Sequence, residues 1–300
     1  MIFKSKKSLG QNFLIDKNIL MLIANSTKIE KSDEIIEIGP GTGNLTKFLV
    51  KLNPKNIFVI EKDENLVKNL SLKFGDKINI INKDILKFFD KSIFTNETIV
   101  VGNLPYNISS QILVKMIKFK KWPPNFYDLI FMFQKELGEK IIGLYQTPNY
   151  GRISILANSR LKVIKKFFVS PNCFRPKPKI TSMVIHFQPK STLLSIKDIL
   201  NLEKVKKIFF SNKRKMINKN IKKIFKNDDK IKLFKNIDIK SRPSDLSPEH
   251  FYEITRLFPN AYIVFDIAAG ISEQNMHLLQ LQIIWEISQQ QSLDLTYYYK

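Results

Sequence analysis

Between residues 30 and 190 the apolar pattern of this chain alternates between two periods, and that alternation leaves few folds open. Glu34-Ile35-Ile36-Glu37-Ile38, Ile57 to Ile60, Ile78 to Ile81, Thr98 to Val101 and Asp128 to Phe133 are short, nearly continuous apolar runs. Runs of that kind read as strands buried on both faces. Asn44 to Leu52, Glu64 to Phe74, Ser109 to Phe119 and a stretch near Glu136 to Leu144 read as the helices between them, with Ile112, Leu113, Met116 and Ile117 on one helical face. Strands alternating with helices predict an α/β fold with a mostly parallel sheet covered on both sides. Leu161 to Val169 and Ile180 to Phe187 predict an antiparallel hairpin that closes one edge.

The character of the chain then changes twice. Residues 191–258 show helical spacing (Val205, Ile208, Phe209, Ile217, Ile221, Ile224, Phe225) and hold 17 Lys+Arg against 8 Asp+Glu. They predict a small, basic, C-terminal all-α domain after a first domain spanning 1–190. Residues 259–300 carry Lys300 as their single Lys or Arg, against Asp266, Glu273, Glu286 and Asp294. A negative segment is a poor partner for a polyanion. This tail is expected to be a mobile or loosely docked appendage outside the active site, although Tyr262 to Phe265 can form a strand and Leu278 to Ile287 has partial helical spacing.

The whole chain carries a formal charge of +22, from 49 Lys+Arg and 27 Asp+Glu. A polyanion partner, most simply nucleic acid, is the functional reading; lysine on every solvated face is the alternative. Cys173 is the sole cysteine, so no intrachain disulfide can form and a reducing compartment is expected. The start has no apolar signal-peptide core, and no apolar run approaches the roughly 18 residues that span a bilayer. His186, His250 and His277 do not fall in a metal-ligand spacing, and no metal is expected. A cytoplasmic monomer is the expected state.

The chemistry gathers at strand ends. The first strand runs into Gly39-Pro40-Gly41-Thr42-Gly43, where glycines let a ligand approach the backbone. The G-x-G-x-G spacing differs from the G-x-G-x-x-G of dinucleotide folds. The second strand ends at Glu61, a carboxylate able to accept two ribose hydroxyls. The third ends near Asp84, able to accept from an adenine amine. The fourth delivers Asn103-Leu104-Pro105-Tyr106. An adenine amine is a poor nucleophile, because its lone pair is conjugated with the ring. The Asn103 side-chain oxygen and a nearby backbone carbonyl can accept its two protons and favour a tetrahedral nitrogen. Pro105 restricts the backbone so that a carbonyl points outward. Tyr106 can stack on the base.

These segments resemble the ribosomal RNA adenine dimethyltransferases, and most closely the branch that modifies two adjacent adenosines near the 3′ end of small-subunit ribosomal RNA. The likeness spans residues 5 to 258. It is carried by Ser8 to Leu14, Glu37 to Gly43, Asn103 to Ser110, Phe174-Arg175-Pro176-Lys177-Pro178-Lys179 and, for the branch, Arg242 to Ser247. The resemblance implies a Rossmann-like domain that uses S-adenosylmethionine (SAM) as methyl donor. It implies that Asn12 and Leu14 cover the donor pocket, and that Gly39 with the glycine loop (Gly41, Gly43) contacts the donor. Glu61 would hold the ribose, Asp84 the adenine, and Asn103 both donor and target amine. Phe174 would face Tyr106 across a flipped base. The expected partner is small-subunit ribosomal RNA or an assembling small subunit, with Lys213, Arg214, Lys215 and Lys222 as candidate RNA contacts. The rival readings are the large-subunit branch that confers antibiotic resistance, a non-catalytic assembly factor on the same fold, and a nicotinamide-dependent oxidoreductase.

Overall fold

The structure is a computed structural model that describes residues 12–88, 93–95, 97–192, 194–225 and 237–258. Ser8 to Gln11 and the tail from Pro259 to Lys300 lie outside those residues, so the expectations placed on them are not addressed by it. In chain order the elements are β1 (Phe13–Leu14), α1 (Lys17–Ala24), β2 (Glu34–Ile38), α2 (Thr46–Lys51), β3 (Asn56–Glu61), α3 (Glu64–Phe74), β4 (Asn79–Asn82) and β5 (Thr98–Gly102). They continue as α4 (Ser109–Ile117), β6 (Phe126–Gln134), α5 (Lys135–Ile141), α6 (Arg152–Arg160), β7 (Leu161–Val169), β8 (Phe174–Arg175) and β9 (Ser182–Pro189). The helices α7 (Ile196–Phe210), α8 (Asn218–Ile224) and α9 (Pro248–Arg256) complete the described chain.

Seven strands form one sheet in the order β4-β3-β2-β5-β6-β9-β7. The first five are parallel, and β9 and β7 add an antiparallel edge. The predicted hairpin pairs as expected, but β9 starts at Ser182 and inserts between β6 and β7. Its connection carries β8, which pairs antiparallel with β1 (Phe13↔Arg175, Leu14↔Phe174). Two sequence segments about 160 residues apart are thereby joined.

Side chains alternate across the pleat and fill two cores. Ile35, Ile57, Val59, Ile99, Val101, Ile130 and Met132 pack under α1, α2 and α3 through Leu20, Ile23, Leu49 and Leu70. Ile36, Ile60, Val100, Phe131 and Phe133 pack under α4 and α6 through Ile112, Leu113, Ile155 and Leu156. The apolar pattern of the sequence does not single out α1 and α6. The first is capped by Asp16, whose carboxylate accepts from the Ile19 N–H at 3.0 Å. The second lacks a polar face among Ser154 to Ala157, all buried, so its pattern carries no helical stripe.

The 194–258 helices share the second core: Phe209, Ile221, Phe225, Phe251 and Ile254 are continuous with the α4–α6 face. One arginine ties the junction. Arg160 is fully buried, and its guanidinium donates to the carbonyls of Ile117 (2.8 Å), Phe119 (2.9 Å) and Leu194 (3.3 Å). It also stacks 4.5 Å from the Trp122 ring centre, and burial lowers its pKa to about 10. The last turn of α4 and the lead-in to α7 thus find donors in one side chain. Each orphaned buried acceptor costs about 1–3 kcal/mol. Arg160→Met should lower the unfolding free energy in urea by at least about 3 kcal/mol; a loss below about 1 kcal/mol would show that these carbonyls find other donors.

Candidate active site

The chain leaves the carboxyl end of β2 toward α2 on one sheet face, and the end of β5 toward α4 on the other. Adjacent strands whose connections diverge leave a crevice. A cavity of about 240 Å³ occupies it. Its lining draws on every strand end named in the sequence: Asn12 and Leu14, Gly39 and Gly41, Glu61, Asp84, and Asn103-Leu104-Pro105-Tyr106.

The roof is held by two amides. Asn44 Nδ2 donates to the Leu14 carbonyl at 2.7 Å and Asn103 Nδ2 to the Asn12 carbonyl at 3.1 Å. Phe13 between them lies over Gly41, where an added Cβ would stand 3.0 Å from its ring. Asn103 therefore spends an amide hydrogen on the roof, and its oxygen has no protein donor among the described residues. The carbonyl of Pro105 accepts from the Ile108 N–H (3.1 Å) and that of Tyr106 from the Ser109 hydroxyl (3.2 Å). Among the described residues no backbone N–H outside the helices and strands donates to the carbonyls of Asn103 and Leu104, and both residues line the cavity.

Three carboxylates differ in state. Glu61 accepts backbone N–H groups from Gly41 (3.2 Å), Lys62 (2.8 Å) and Asp63 (2.9 Å). Burial raises its pKa, and those N–H groups oppose the rise. Asp84 sits near the surface, where the Lys62 ammonium 2.8 Å away holds its pKa below the usual carboxylate value. Glu37, given no role of its own in the sequence beyond its place in the first strand and in the Glu37 to Gly43 segment, lies in the cavity wall. It is 2% exposed and accepts the Thr46 hydroxyl at 2.6 Å. Burial raises its pKa to about 7. The available sequence signal was a carboxylate inside the apolar run of β2.

Two expected contacts are placed elsewhere. Gly43 is not in the cavity lining. It takes a left-handed φ of 75°, and an added Cβ would come within 2.5 Å of Phe74, so it is glycine for the packing of α3. Phe174 is 2% exposed in the core with Leu14 and Val184 and does not line the cavity. Tyr106 does line it, and its hydroxyl lies 2.5 Å from that of Ser182 at the start of β9, a residue the sequence did not suggest. Lys213, Arg214, Lys215 and Lys222 are exposed and away from the cavity lining, on the turn after α7 and on α8. Lys206, a further cation of the same basic segment, is buried and donates to the Arg152 carbonyl at 3.0 Å.

A glycine loop, a carboxylate ordered by three backbone N–H groups, a buried acid and an Asn-Leu-Pro-Tyr strand end around one cavity fit a nucleoside donor with a cationic centre. Fold and site together define a Rossmann-like methyltransferase. A profile of ribosomal RNA adenine dimethylases matches residues 2–259. The ribosomal RNA small subunit methyltransferase A of Pelagibacter ubique is 43% identical over 258 residues, 85% of this chain and 97% of that one. The protein of the same name from Bradyrhizobium diazoefficiens is 35% identical, over 73% and 78% of the two chains. The crystal structure of a dimethyladenosine transferase from Plasmodium falciparum superposes with a TM-score of 0.65 at 27% identity, covering 81% of this chain and 97% of that one. That of the 23S rRNA methyltransferase ErmE gives 0.59 at 21% identity, over 82% and 99%, a likeness of fold. This chain belongs to the ribosomal RNA adenine dimethylase family.

Glu37 makes the site's electrostatics measurable. A carboxyl with a raised folded-state pKa contributes its stability fully below pH 4.5 and loses it as pH rises through about 7. Glu37→Gln mimics the neutral form. Its urea stability relative to wild type should rise between pH 5 and 8, by up to about 3 kcal/mol; parallel pH profiles for the two proteins would show that Glu37 ionises freely.

Proposed function

We propose that this chain is a SAM-dependent N6-dimethyltransferase of two adjacent adenosines near the 3′ end of small-subunit ribosomal RNA, acting in the cytoplasm on the RNA or on an assembling subunit. The observation that carries the reading is the convergence of Asn12, Gly39, Glu61, Asp84 and Asn103 to Tyr106 on one cavity. The names and identities of the small-subunit relatives support this branch over the large-subunit one.

The donor's sulfonium supplies a methyl group that is already activated, so the protein's share is positioning. Glu61 would take the ribose hydroxyls, a role supported by a carboxylate already ordered by three N–H groups. Glu37 faces the cavity as a charge that a bound cation would favour in its ionised form. The Asn103 oxygen and the carbonyl of Asn103 or Leu104 accept the two amine hydrogens. The nitrogen then becomes tetrahedral with its lone pair toward the methyl carbon. Bound there, the donor would supply its methyl carbon to that lone pair and leave as the neutral thioether, with the extra amine proton passing to solvent. Tyr106, anchored through Ser182, offers its ring to the base. The exposed cations of the 191–258 helices are read as RNA contacts.

The direct test mixes the protein with labelled SAM and small subunits lacking the modification, then maps the methylated nucleotides. Label on two neighbouring adenosines near the 3′ end is expected; label on the large subunit would overturn the assignment. In the same assay Asn103→Ala should slow turnover by about 10²–10³-fold with a far smaller effect on SAM affinity. Glu61→Ala should instead weaken SAM by about 10–100-fold, the worth of a charge-assisted contact. Reversed effects would exchange the two roles. Replacing Lys213, Arg214 and Lys215 together with Gln should flatten the salt dependence of RNA binding by up to about 0.7–0.9 log units for each phosphate no longer neutralised. An unchanged slope would make them solvated surface.

A further inference from the structure

Near the carboxyl end of β7 an aromatic ring stands in solvent. Phe168 is 55% exposed, although it lies in a regular strand. Its ring carries the Lys135 ammonium 5.2 Å from its centre. Lys135 opens α5, its backbone N–H donates to the Thr181 carbonyl at 2.9 Å, and its ammonium is 3.8 Å from Glu139. β7 is the outer strand of the sheet, and Lys162, Lys165 and Lys166 along it are exposed. An edge strand with exposed apolar side chains invites another strand, and lysines discourage that pairing. The same lysines match a phosphate backbone.

The position relative to the site gives this patch its meaning. Phe168 pairs with Met183, and the next residue, Val169, pairs with Ser182. Ser182 is the residue whose hydroxyl holds Tyr106 in the cavity wall. Phe168 therefore stands at the same edge of the sheet as the anchor of the base-stacking tyrosine, its side chain on the opposite face from that of Ser182. We propose that Phe168 and Lys135 form a stacking platform for an unpaired RNA nucleotide that flanks the adenosine held at Tyr106. The proposal rests on the reading of the cavity as an RNA adenine methyltransferase site and adds a specificity contact outside it. An unpaired base presents a π-face and a phosphate, and an aromatic ring beside an ammonium answers both.

The test uses the full chain, with naked small-subunit RNA and small subunits lacking the modification as probes. Phe168→Ala should weaken binding to both by about 5- to 100-fold, the worth of one base stack. Phe168→Trp should restore it. SAM affinity and melting temperature should stay at wild-type values, since the ring is outside the cavity and the cores. Wild-type RNA affinity in Phe168→Ala, beside an active wild-type protein, overturns the platform. So does a loss confined to whole subunits with naked RNA unaffected, which would make Phe168 a protein contact. A wild-type chain that binds RNA through Phe168 yet transfers no methyl group supports the platform and overturns the catalytic reading instead.

Discussion

Above Ile38 and Gly102 the chain departs in opposite directions, toward α2 on one face of the sheet and toward α4 on the other. Neighbouring parallel strands with divergent exits cannot cover the space between their ends. The cavity, the glycine loop that lines it and the Asn-Leu-Pro-Tyr turn all occupy positions fixed by this divergence. The roof depends on it too. Asn44 follows the loop after β2 and Asn103 the end of β5, and each donates to the 12–14 segment from its own side.

Electrostatics inside this crevice run against those of the surface. The chain is +22 overall, yet the cavity wall holds Glu37 and Glu61, both nearly buried. Charge outside attracts a polyanion, and acid inside favours a small cation; one molecule so built can take both together. Burial raises the pKa of both acids, and the hydrogen bonds that oppose it separate them in character. Glu61 retains three N–H donors, whereas Glu37 has one hydroxyl and is pushed to about 7.

The helical segment is fastened by side chains that no sequence motif singles out. Tyr145 and Tyr150 donate to the carbonyls of Asp245 and Leu246, both at 2.9 Å. These carbonyls belong to the Arg242 to Ser247 segment that marks the resemblance to the small-subunit branch, so that segment is an attachment to the loop after α5. Lys206 is a second case. Its ammonium is turned inward to the Arg152 carbonyl, and burial lowers its pKa to about 7. Cation spacing along a helix does not separate such a residue from its exposed neighbours.

The strand and helix alternation, the parallel sheet with an antiparallel edge, and the strand ends that carry acids and glycines were all legible in the amino-acid order alone. These are local properties, because apolar period and glycine spacing are written in neighbouring residues. Which of those residues meet was settled by tertiary packing. Gly43 shares its motif with Gly39 and Gly41 but turns to Phe74, and Phe174 is drawn into the core by the pairing of β8 with β1. Ser182 reached Tyr106, and Arg160 reached three carbonyls, only through pairings between residues from 34 to 76 positions apart. No local pattern encodes a contact at that separation, because register and packing of the whole sheet set which side chains face each other.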